Sequence, residues 1–303
     1  MIREFKEMII LLRAVIKEMR IKQYTKNFLI YAAALFSGNI FDINVLTLTT
    51  EAFIAFSLIA SVVYIVNDIM DIEKDRQHPK KKYRPIASGK ISISFAILLV
   101  VIFLLAGFGI AYTINTGLCC ILMIYLIMNI LYSIWLKHIV LIDVMIIALG
   151  FVLRGIAGVI VIDSGTTTWF ILCIFMLSLF LAIAKRRAEM KLFVSSTENT
   201  RKVLREYSIK LLDQLLTIVV AITLTSYALF AVQITHNHEY ILGKELSYMI
   251  ITIPIVVYGM FRYLYLIYIK DIGEAPDEIL LKDKNILVTV LLYLFCIICI
   301  RSF

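Results

Sequence analysis

Three aspartates and a group of basic residues lie close together between residues 67 and 89. Asp68, Asp71 and Asp75 are spaced i, i+3 and i+7, so on a helix they lie on one face and their oxygens can share a hard cation. The basic residues that follow directly are Lys80, Lys81, Lys82 and Arg84. Binding of a diphosphate requires carboxylates that hold Mg²⁺ beside bases that hold phosphate. The stretch therefore predicts a magnesium site for a phosphorylated substrate.

The alternative for this stretch is an ordinary solvated loop after a membrane helix, where acids and bases are common. An apolar run over residues 53–66 leads directly into the acids. Acidic side chains at the membrane edge of a helix are costly unless they have a use, which favours the functional interpretation.

The composition predicts a membrane protein made of helices. The chain has 303 residues, of which 61% are hydrophobic and only four are proline. Its mean hydropathy is +0.93. We expect an all-α, polytopic fold in a single transmembrane domain over residues 1–303, with an amphipathic interfacial helix over residues 1–22. The five cysteines lie inside apolar runs, and we assign them no chemistry.

Nine apolar stretches are long enough to span a bilayer. They cover residues 25–41, 50–68, 91–114, 117–136, 139–162, 168–184, 211–234, 246–269 and 285–301. The N-terminal segment and every second connection between these stretches lie on one side of the membrane, and they carry 26 of the 30 lysines and arginines. The positive-inside rule places that side, with the N-terminus, in the cytoplasm and the C-terminus outside. The net charge of +8 then reflects topology and predicts no nucleic-acid partner.

This topology collects the polar motifs at one end of the helices, in a chamber facing the cytoplasm. Two cytoplasmic loops, over residues 67–90 and 185–210, are expected to carry catalytic residues. Arg154 is predicted inside a span, where an arginine nearly always faces a partner or an aqueous cavity. The alternative is a structural ion pair between Arg154 and Asp143 or another acid. Lys137 and Asp143 are each compatible with a ligand role or with an ordinary charge at a helix end.

The first polar motif resembles that of a known family. The pattern N-D-x-x-D-x-x-x-D-x-x-H-P-x-K-x-x-R-P-x-A-S-G, from Asn67 to Gly89, resembles the first aspartate-rich motif of the UbiA-type intramembrane transferases. The resemblance implies a nine-helix bundle of that type. It also implies that Asn67, Asp68, Asp71 and Asp75 hold the diphosphate of an activated donor through Mg²⁺, with the three aspartates as metal ligands and catalytic residues.

The second half departs from most prenyltransferases of that superfamily, which carry a second aspartate motif after span six. Here the corresponding stretch is basic, Lys185-Arg186-Arg187, which suits direct contact with phosphate oxygens. This basic stretch, together with other segments along nearly the whole chain, resembles the decaprenyl-phosphate phosphoribosyltransferase branch. Two positions depart from that branch: we expect Trp where Tyr24 stands and an acid where Ala275 stands.

That branch implies phosphoribosyl pyrophosphate as donor, a polyprenyl phosphate lipid as acceptor and Mg²⁺ as cofactor. Residues matching its motifs then become candidate substrate ligands: Lys26, Asn27, Asn67, Lys82, Arg84, Tyr132, Lys137, Arg154, Lys185 and Arg186. For Lys185 to Arg187, the alternative is a positive-inside anchor of span six.

The expected function is thus phosphoribosyl transfer in a prokaryotic cell membrane, with membrane lipids around the protein and homo-oligomerisation left open. Within the enzymes, the alternative is transfer of an isoprenoid diphosphate onto an aromatic or quinone-precursor acceptor. Outside them, the alternative is a transporter or lipid-binding membrane protein. The small amount of charge predicted on the outer side argues against a transport path.

Overall fold

Long α-helices make up most of the computed structural model, which describes residues 2–163, 167–195, 202–234, 240–241, 244–245, 247–270, 279 and 283–302. The α-helices are α1 (Ile2–Glu18), α2 (Ala32–Phe36), α3 (Ile43–Met70), α4 (Ile72–Gln77), α5 (Ile93–Ile114), α6 (Thr116–Ile134), α7 (Ile142–Ile162), α8 (Thr168–Ser195), α9 (Ile209–Gln233), α10 (Ile253–Tyr268) and α11 (Lys284–Ser302). The 3₁₀ helices are Ile21–Tyr31, Lys81–Tyr83, Leu136–His138, Lys202–Glu206 and Tyr248–Thr252. Strands Tyr240–Ile241 and Lys244–Glu245 form an antiparallel pair, with Tyr240 opposite Glu245.

The predicted all-α membrane fold is confirmed. Within the described residues, eight helices are long and apolar enough to cross a membrane, and they cover eight of the nine predicted spans. The remaining prediction, 25–41, falls on the 3₁₀ helix Ile21–Tyr31 and on α2. Polar residues such as Lys22 and Asn27 make this segment less apolar than the others.

The 3₁₀ helix Ile21–Tyr31 nevertheless packs against α3 from Tyr24 to Tyr31. The Tyr24 hydroxyl lies 2.8 Å from the Ser61 hydroxyl, and the Tyr31 hydroxyl donates to Thr50 Oγ1 at 2.9 Å. Because residue numbers fall along α3 as they rise along the segment, the two run antiparallel. The segment therefore takes the position of the expected first helix of the bundle.

Side-chain caps define where several long helices begin. Asp42 Oδ1 accepts from the backbone N–H groups of Asn44 and Val45 at the start of α3. Ser92 caps α5, and Asn115 caps α6 by accepting from the Gly117 N–H at 2.6 Å. Such caps satisfy backbone donors that a helix cannot pair internally.

Close packing of α7 against the 3₁₀ helix Ile21–Tyr31 depends on a glycine. A Cβ atom at Gly158 would lie 2.2 Å from the Ile30 carbonyl oxygen, closer than any real contact. Ile30 is fully buried at this crossing. The glycine therefore lets the two backbones approach, as small residues do in membrane helix packing.

The two stretches expected to be cytoplasmic loops are largely helical. Residues 67–90 contain the end of α3, all of α4 and the turn Lys81–Tyr83. Helix α8 continues through Ser195, so the first eleven residues of the stretch 185–210 are helical. Arg186 and Glu189 form an i,i+3 ion pair there, which supports continuation of the helix.

Candidate active site

Asp68, near the end of α3, and Asp75, in α4, are joined by Arg84. Arg84 Nη1 donates to Asp68 Oδ1 at 3.0 Å and to Asp75 Oδ2 at 2.5 Å. Arg20 Nη2 donates to the same Asp68 oxygen at 2.5 Å. Both aspartates are buried, so these are charge-assisted contacts in a region of low dielectric. Two acids and one base of the first motif therefore form one cluster with Arg20.

Arg20 reaches Asp68 from an unusual backbone conformation. Its φ of 53° and ψ of 49° are left-handed, at the junction between α1 and the following 3₁₀ helix. For a residue with a Cβ this conformation costs about 1–2 kcal/mol. Such outliers are concentrated at functional sites, where the surrounding structure holds them.

Asp71 has different basic partners from the other two aspartates. The α-helix breaks at this residue, which ends α3 and precedes α4. Its carboxylate lies 3.3 Å from Lys74 Nζ and 3.9 Å from Lys137 Nζ. Among the described residues, no three Asp, Glu, His or Cys side chains are grouped closely enough to hold a metal ion. Asp71 therefore has other partners than Asp68 and Asp75, and the expected shared magnesium site stays a prediction.

Glu18, the last residue of α1, adds a carboxylate to the cluster. It is 1% exposed, and neither of its oxygens has a hydrogen-bond donor. Burial, followed by the charge of Asp68, raises the pKa of Glu18 to about 8. Arg20 and Arg84 oppose the shift. Because neither Glu18 oxygen has a hydrogen-bond partner among the described residues, burial beside the Asp68 carboxylate is the main cause of the raised pKa.

A buried arginine lies deeper in the bundle. Arg154 Nε donates to Asn27 Oδ1 at 2.7 Å, Nη1 to the Gly150 carbonyl at 2.5 Å and Nη2 to the Tyr125 hydroxyl at 3.1 Å. Its guanidinium also lies 5.0 Å from the ring centroids of both Phe56 and Tyr125. Each of these partners is neutral.

The alternative of an ion pair between Arg154 and Asp143 does not hold. Asp143, fully buried, accepts from Arg186 Nε at 2.6 Å and from the Tyr207 hydroxyl at 2.7 Å. No carboxylate among the described residues forms a salt bridge with Arg154. A buried cation with only neutral partners is expensive and attracts an anion.

Arg186 is held inside the protein instead of facing a chamber. It is 2% exposed and contacts Asp143 and Glu189, the latter at 2.5 Å. Arg187 is also buried, and its Nε donates to Asp213 Oδ1 at 2.5 Å. Of the three basic residues at this end of α8, Lys185 is the exposed one. Lys185 is therefore the one of these three side chains that is open to solvent.

The Asp143 network fixes the beginning of α7. The Tyr207 hydroxyl accepts from the Leu141 backbone N–H at 2.8 Å while donating to Asp143. Leu141 has a positive φ of 67°. Burial and the hydrogen bond to the Asp143 carboxylate raise the pKa of Tyr207. The network ties α7, α8 and the residue after the 3₁₀ helix Lys202–Glu206 together.

The remaining predicted ligands are less enclosed. Lys26 and Lys82 are exposed, while Asn67 and Tyr132 are half-buried. Lys82 lies 5.3 Å from the centroid of the Tyr83 ring. The expected departure at Ala275 lies outside the described residues.

Sequence reasoning missed Glu18 and Arg20 as members of the site, because both belong to a helix expected to lie on the membrane surface. One signal was available. Glu18 is four residues after the buried Ala14, which places a charge on the apolar face of an amphipathic helix. No comparable pattern marks Arg20 or Tyr125.

The ion pairs of Asp71 and Asp143 connect the same ends of several helices. Asp71 at the end of α3 is close to Lys137, which lies between α6 and α7. Asp143 at the start of α7 contacts Arg186 near the end of α8. Only Arg154 and its partners lie deeper. Such a collection of charge among membrane-spanning helices is costly and is typical of a functional site.

Solved structures share this fold. A UbiA homolog from Archaeoglobus fulgidus bound to DMAPP and Mg²⁺ superposes with a TM-score of 0.69 and 19% sequence identity, covering 95% of this chain and 99% of that one. A structure described as digeranylgeranylglyceryl phosphate synthase gives a TM-score of 0.65 with 20% identity, covering 96% and 99%. The chain therefore has the fold of these UbiA-type membrane proteins.

The amino-acid sequence matches the UbiA prenyltransferase family over residues 28–278, and the chain belongs to that family of transferases. It is similar to a decaprenyl-phosphate phosphoribosyltransferase of Corynebacterium glutamicum, with 33% identity over 287 residues, 93% of this chain and 85% of that protein. The protein of the same description from Mycolicibacterium smegmatis is 32% identical over 280 residues, 90% of this chain and 88% of that protein. The transporter and lipid-binding alternatives are thereby set aside.

Proposed function

We propose that this transferase moves the 5-phosphoribosyl group from phosphoribosyl pyrophosphate to a polyprenyl phosphate and releases pyrophosphate. The observation that carries the proposal is the excess of basic groups at the charged end of the bundle. Arg20 and Arg84 border Asp68, Lys137 borders Asp71, and α8 carries three consecutive basic residues in its second half. Two anionic substrates need such groups. The names of the Corynebacterium and Mycolicibacterium relatives support the same activity.

The acidic residues fit a divalent cation. Asp68 is buried next to Glu18, whose two oxygens have no donor among the described residues. Mg²⁺ commonly uses one or two protein carboxylates together with water and substrate phosphate oxygens, so three grouped carboxylates are not required. Asp68, Asp71 and Asp75 are the proposed metal-binding residues. When bound, Mg²⁺ neutralises charge that develops on the leaving pyrophosphate.

The basic residues are proposed to position the two substrates. Arg84 connects Asp68 to Asp75 and presents further N–H groups of its guanidinium for phosphate oxygens. Lys137, beside Asp71, and Lys185, exposed at the end of α8, are placed to contact phosphate groups. Lys26, Asn67, Lys82 and Tyr132 are retained as candidate ligands at this end of the bundle.

Arg154 and Asn27 are proposed to form the inner wall of the site. The guanidinium has five N–H groups, and three are used in hydrogen bonds to neutral partners. The remaining N–H groups and the uncompensated charge suit a phosphate. Its fixed position would stabilise negative charge without reorganisation during the reaction.

The reaction needs no covalent intermediate with the protein. The bond between the ribose anomeric carbon and a pyrophosphate oxygen breaks, and its electron pair leaves with pyrophosphate. An oxygen of the lipid phosphate then forms the new bond to that carbon. This oxygen is already anionic at neutral pH, so the protein need not remove a proton, and its main tasks are positioning and charge neutralisation.

A direct assay tests the proposal. Purified protein is incubated with Mg²⁺ and either ribose-labelled phosphoribosyl pyrophosphate with polyprenyl phosphate, or labelled prenyl diphosphate with 4-hydroxybenzoate. We expect the ribose label to enter the lipid fraction and the second pair to give no product. Product from the second pair alone would overturn the proposal.

The second candidate is prenyl transfer to an aromatic or quinone-precursor acceptor. It is favoured by the similarity to the Archaeoglobus structures bound to DMAPP or GPP with Mg²⁺. Against it, the place where most prenyltransferases carry acids holds the basic residues Lys185, Arg186 and Arg187.

We further propose that the site faces the cytoplasm. The lysines and arginines concentrate at the end of the bundle that holds Asp68 and Lys137, as the positive-inside rule expects of a cytoplasmic face. A soluble donor such as phosphoribosyl pyrophosphate would reach the site from that side.

A further inference from the structure

Glu18 lies where the surface helix α1 meets the acidic end of α3. It is on the same face of α1 as the buried Ala14, and its side chain is directed to Asp68. It is 1% exposed, and neither carboxylate oxygen accepts a hydrogen bond from a described residue. A buried carboxyl group without donors, beside a second carboxylate, is among the costlier arrangements in a protein.

The neighbouring cations do not compensate Glu18 by direct contact. Arg20 and Arg84 are the charged groups that face it, and both bind Asp68 through Oδ1. Arg84 also binds Asp75. Neither arginine donates to Glu18. Two adjacent carboxyl groups with spare oxygens can be neutralised by a divalent cation, which completes its coordination with water and with substrate phosphate oxygens.

We propose that Glu18 is a further metal ligand, which shares a divalent cation with Asp68. This inference deepens the proposed function, because the remaining ligands would be oxygens of the donor pyrophosphate. Helix α1 then contributes to the site itself as well as to membrane attachment. Its docking against α3 would be coupled to binding of the cation.

Binding of Mn²⁺, a paramagnetic probe for the Mg²⁺ site, tests this inference independently of catalysis. The full chain in lipid nanodiscs is titrated with Mn²⁺ in the presence of inorganic pyrophosphate, and free Mn²⁺ is measured by electron paramagnetic resonance. The variants are Glu18→Gln, Asp68→Asn and, as a matched control, Glu73→Gln. Glu73 is an exposed carboxylate on α4 that pairs with Arg76.

We expect Glu18→Gln to weaken Mn²⁺ binding by at least ~10-fold, since even loss of a residue that only supports a ligand has this effect. Asp68→Asn should weaken it as well, and Glu73→Gln should leave it unchanged. Should Glu18→Gln not insert in the membrane, Glu18→Asp replaces it. That variant keeps the charge but withdraws the oxygens by one methylene, and we expect it to bind Mn²⁺ several-fold more weakly than the unmodified chain.

The outcomes separate this inference from the proposed function. If Glu18→Gln, or Glu18→Asp where that variant is used, binds Mn²⁺ as tightly as the unmodified chain while Asp68→Asn binds it more weakly, the role of Glu18 is overturned. The metal site itself then remains in place. If no variant changes the Mn²⁺ affinity, both the role of Glu18 and the proposed metal site are overturned. Failure of phosphoribosyl transfer with Mn²⁺ binding as expected would overturn only the proposed function.

Discussion

Arg154 on α7 and Asn27 on the 3₁₀ helix Ile21–Tyr31 are joined by a buried hydrogen bond of 2.7 Å across 127 positions of sequence. Asn27 in turn donates to Ser57 Oγ on α3 at 2.8 Å. The amide group therefore orients the guanidinium through its oxygen and is held by α3 through its nitrogen. Three elements of the bundle fix one cation whose hydrogen-bond partners are all neutral.

This arrangement predicts the behaviour of an Arg154→Lys variant. Lysine keeps the charge but loses the planar fork that reaches Asn27 and Tyr125 together. We expect the protein to fold and kcat/KM to fall about 10–100-fold, corresponding to a charged hydrogen bond of about 1.5–3 kcal/mol. Steady-state kinetics with both substrates measures the change. Arg262→Lys is the matched control, and equal kinetics for the two variants would contradict a role for Arg154 in the site.

The proposed metal site predicts that Asp68→Asn abolishes turnover while the protein still inserts in the membrane. The substitution keeps size but removes the charge that binds cation and arginines. We expect a loss of at least ~3 kcal/mol of transition-state stabilisation, comparable with removal of one well-placed oxyanion donor. Asp71→Asn should have a similar effect, and Glu73→Gln should not. Activity of the unmodified enzyme that persists in EDTA would argue against the metal.

Lys185 and Arg186 should separate into different phenotypes. Arg186→Met leaves Asp143 buried without its cation, so we expect a loss of about 3–5 kcal/mol in the free energy of unfolding. Lys185→Met should unfold like the unmodified protein but raise KM for one phosphorylated substrate about tenfold. Thermal unfolding followed by fluorescence, together with steady-state kinetics, distinguishes the two. Equal stability of both variants would contradict the structural role of Arg186.

The contact between Arg262 and Asp283 predicts a specific dependence on pH. Arg262 Nη2 donates to Asp283 Oδ2 at 2.8 Å, and this hydrogen bond holds the pKa of Asp283 below its usual value of 3.8. A lowered pKa in the folded state means that the stabilisation is present above pH 3.8 and is lost as pH falls through the folded pKa.

The unfolding temperature measures this effect. We expect the unmodified protein to unfold at a higher temperature than Asp283→Asn near neutral pH. The difference should shrink below pH 3.8, because the carboxylate then becomes protonated. Asparagine keeps a side-chain oxygen that can accept from the Ile286 N–H, so loss of the helix cap does not explain the difference. A difference that is independent of pH would count against the ion pair.

The proposed orientation predicts which side of the membrane reacts with thiol reagents. In a background without native cysteines, Lys81→Cys should be protected from an impermeant reagent in intact cells and should react after permeabilisation. Asn39→Cys, near the opposite end of α3, should react in intact cells. The reverse pattern would refute a cytoplasmic site.

The sequence by itself determined the membrane class, the positions of eight spanning helices and the stretch that carries Asp68, Asp75 and Arg84. These features depend on local patterns. A run of about twenty apolar residues must form a helix in a bilayer, because its backbone groups find no other hydrogen-bond partners there. The family resemblance rests on the same stretch and could be recognised without coordinates.

Only the tertiary structure decided how the charges pair. Asp68 and Asp75 share Arg84, whereas Asp71 pairs with Lys74 and Lys137. Arg186 pairs with Asp143 inside the bundle, and Arg154 donates a hydrogen bond to the neutral Asn27 instead. Any basic residue predicted near this end could have bound any acid there, and the choice depends on packing between helices distant in sequence.

Glu18 shows most clearly that the sequence alone does not determine which charges are buried together. In the sequence it is one charge among several in an amphipathic helix, where solvent exposure is the ordinary expectation. Docking of α1 against α3 turns it inward and removes it from water, beside Asp68. Burial of a charged group depends on which face of a helix meets its neighbour, and that is a property of the assembled bundle rather than of the local sequence.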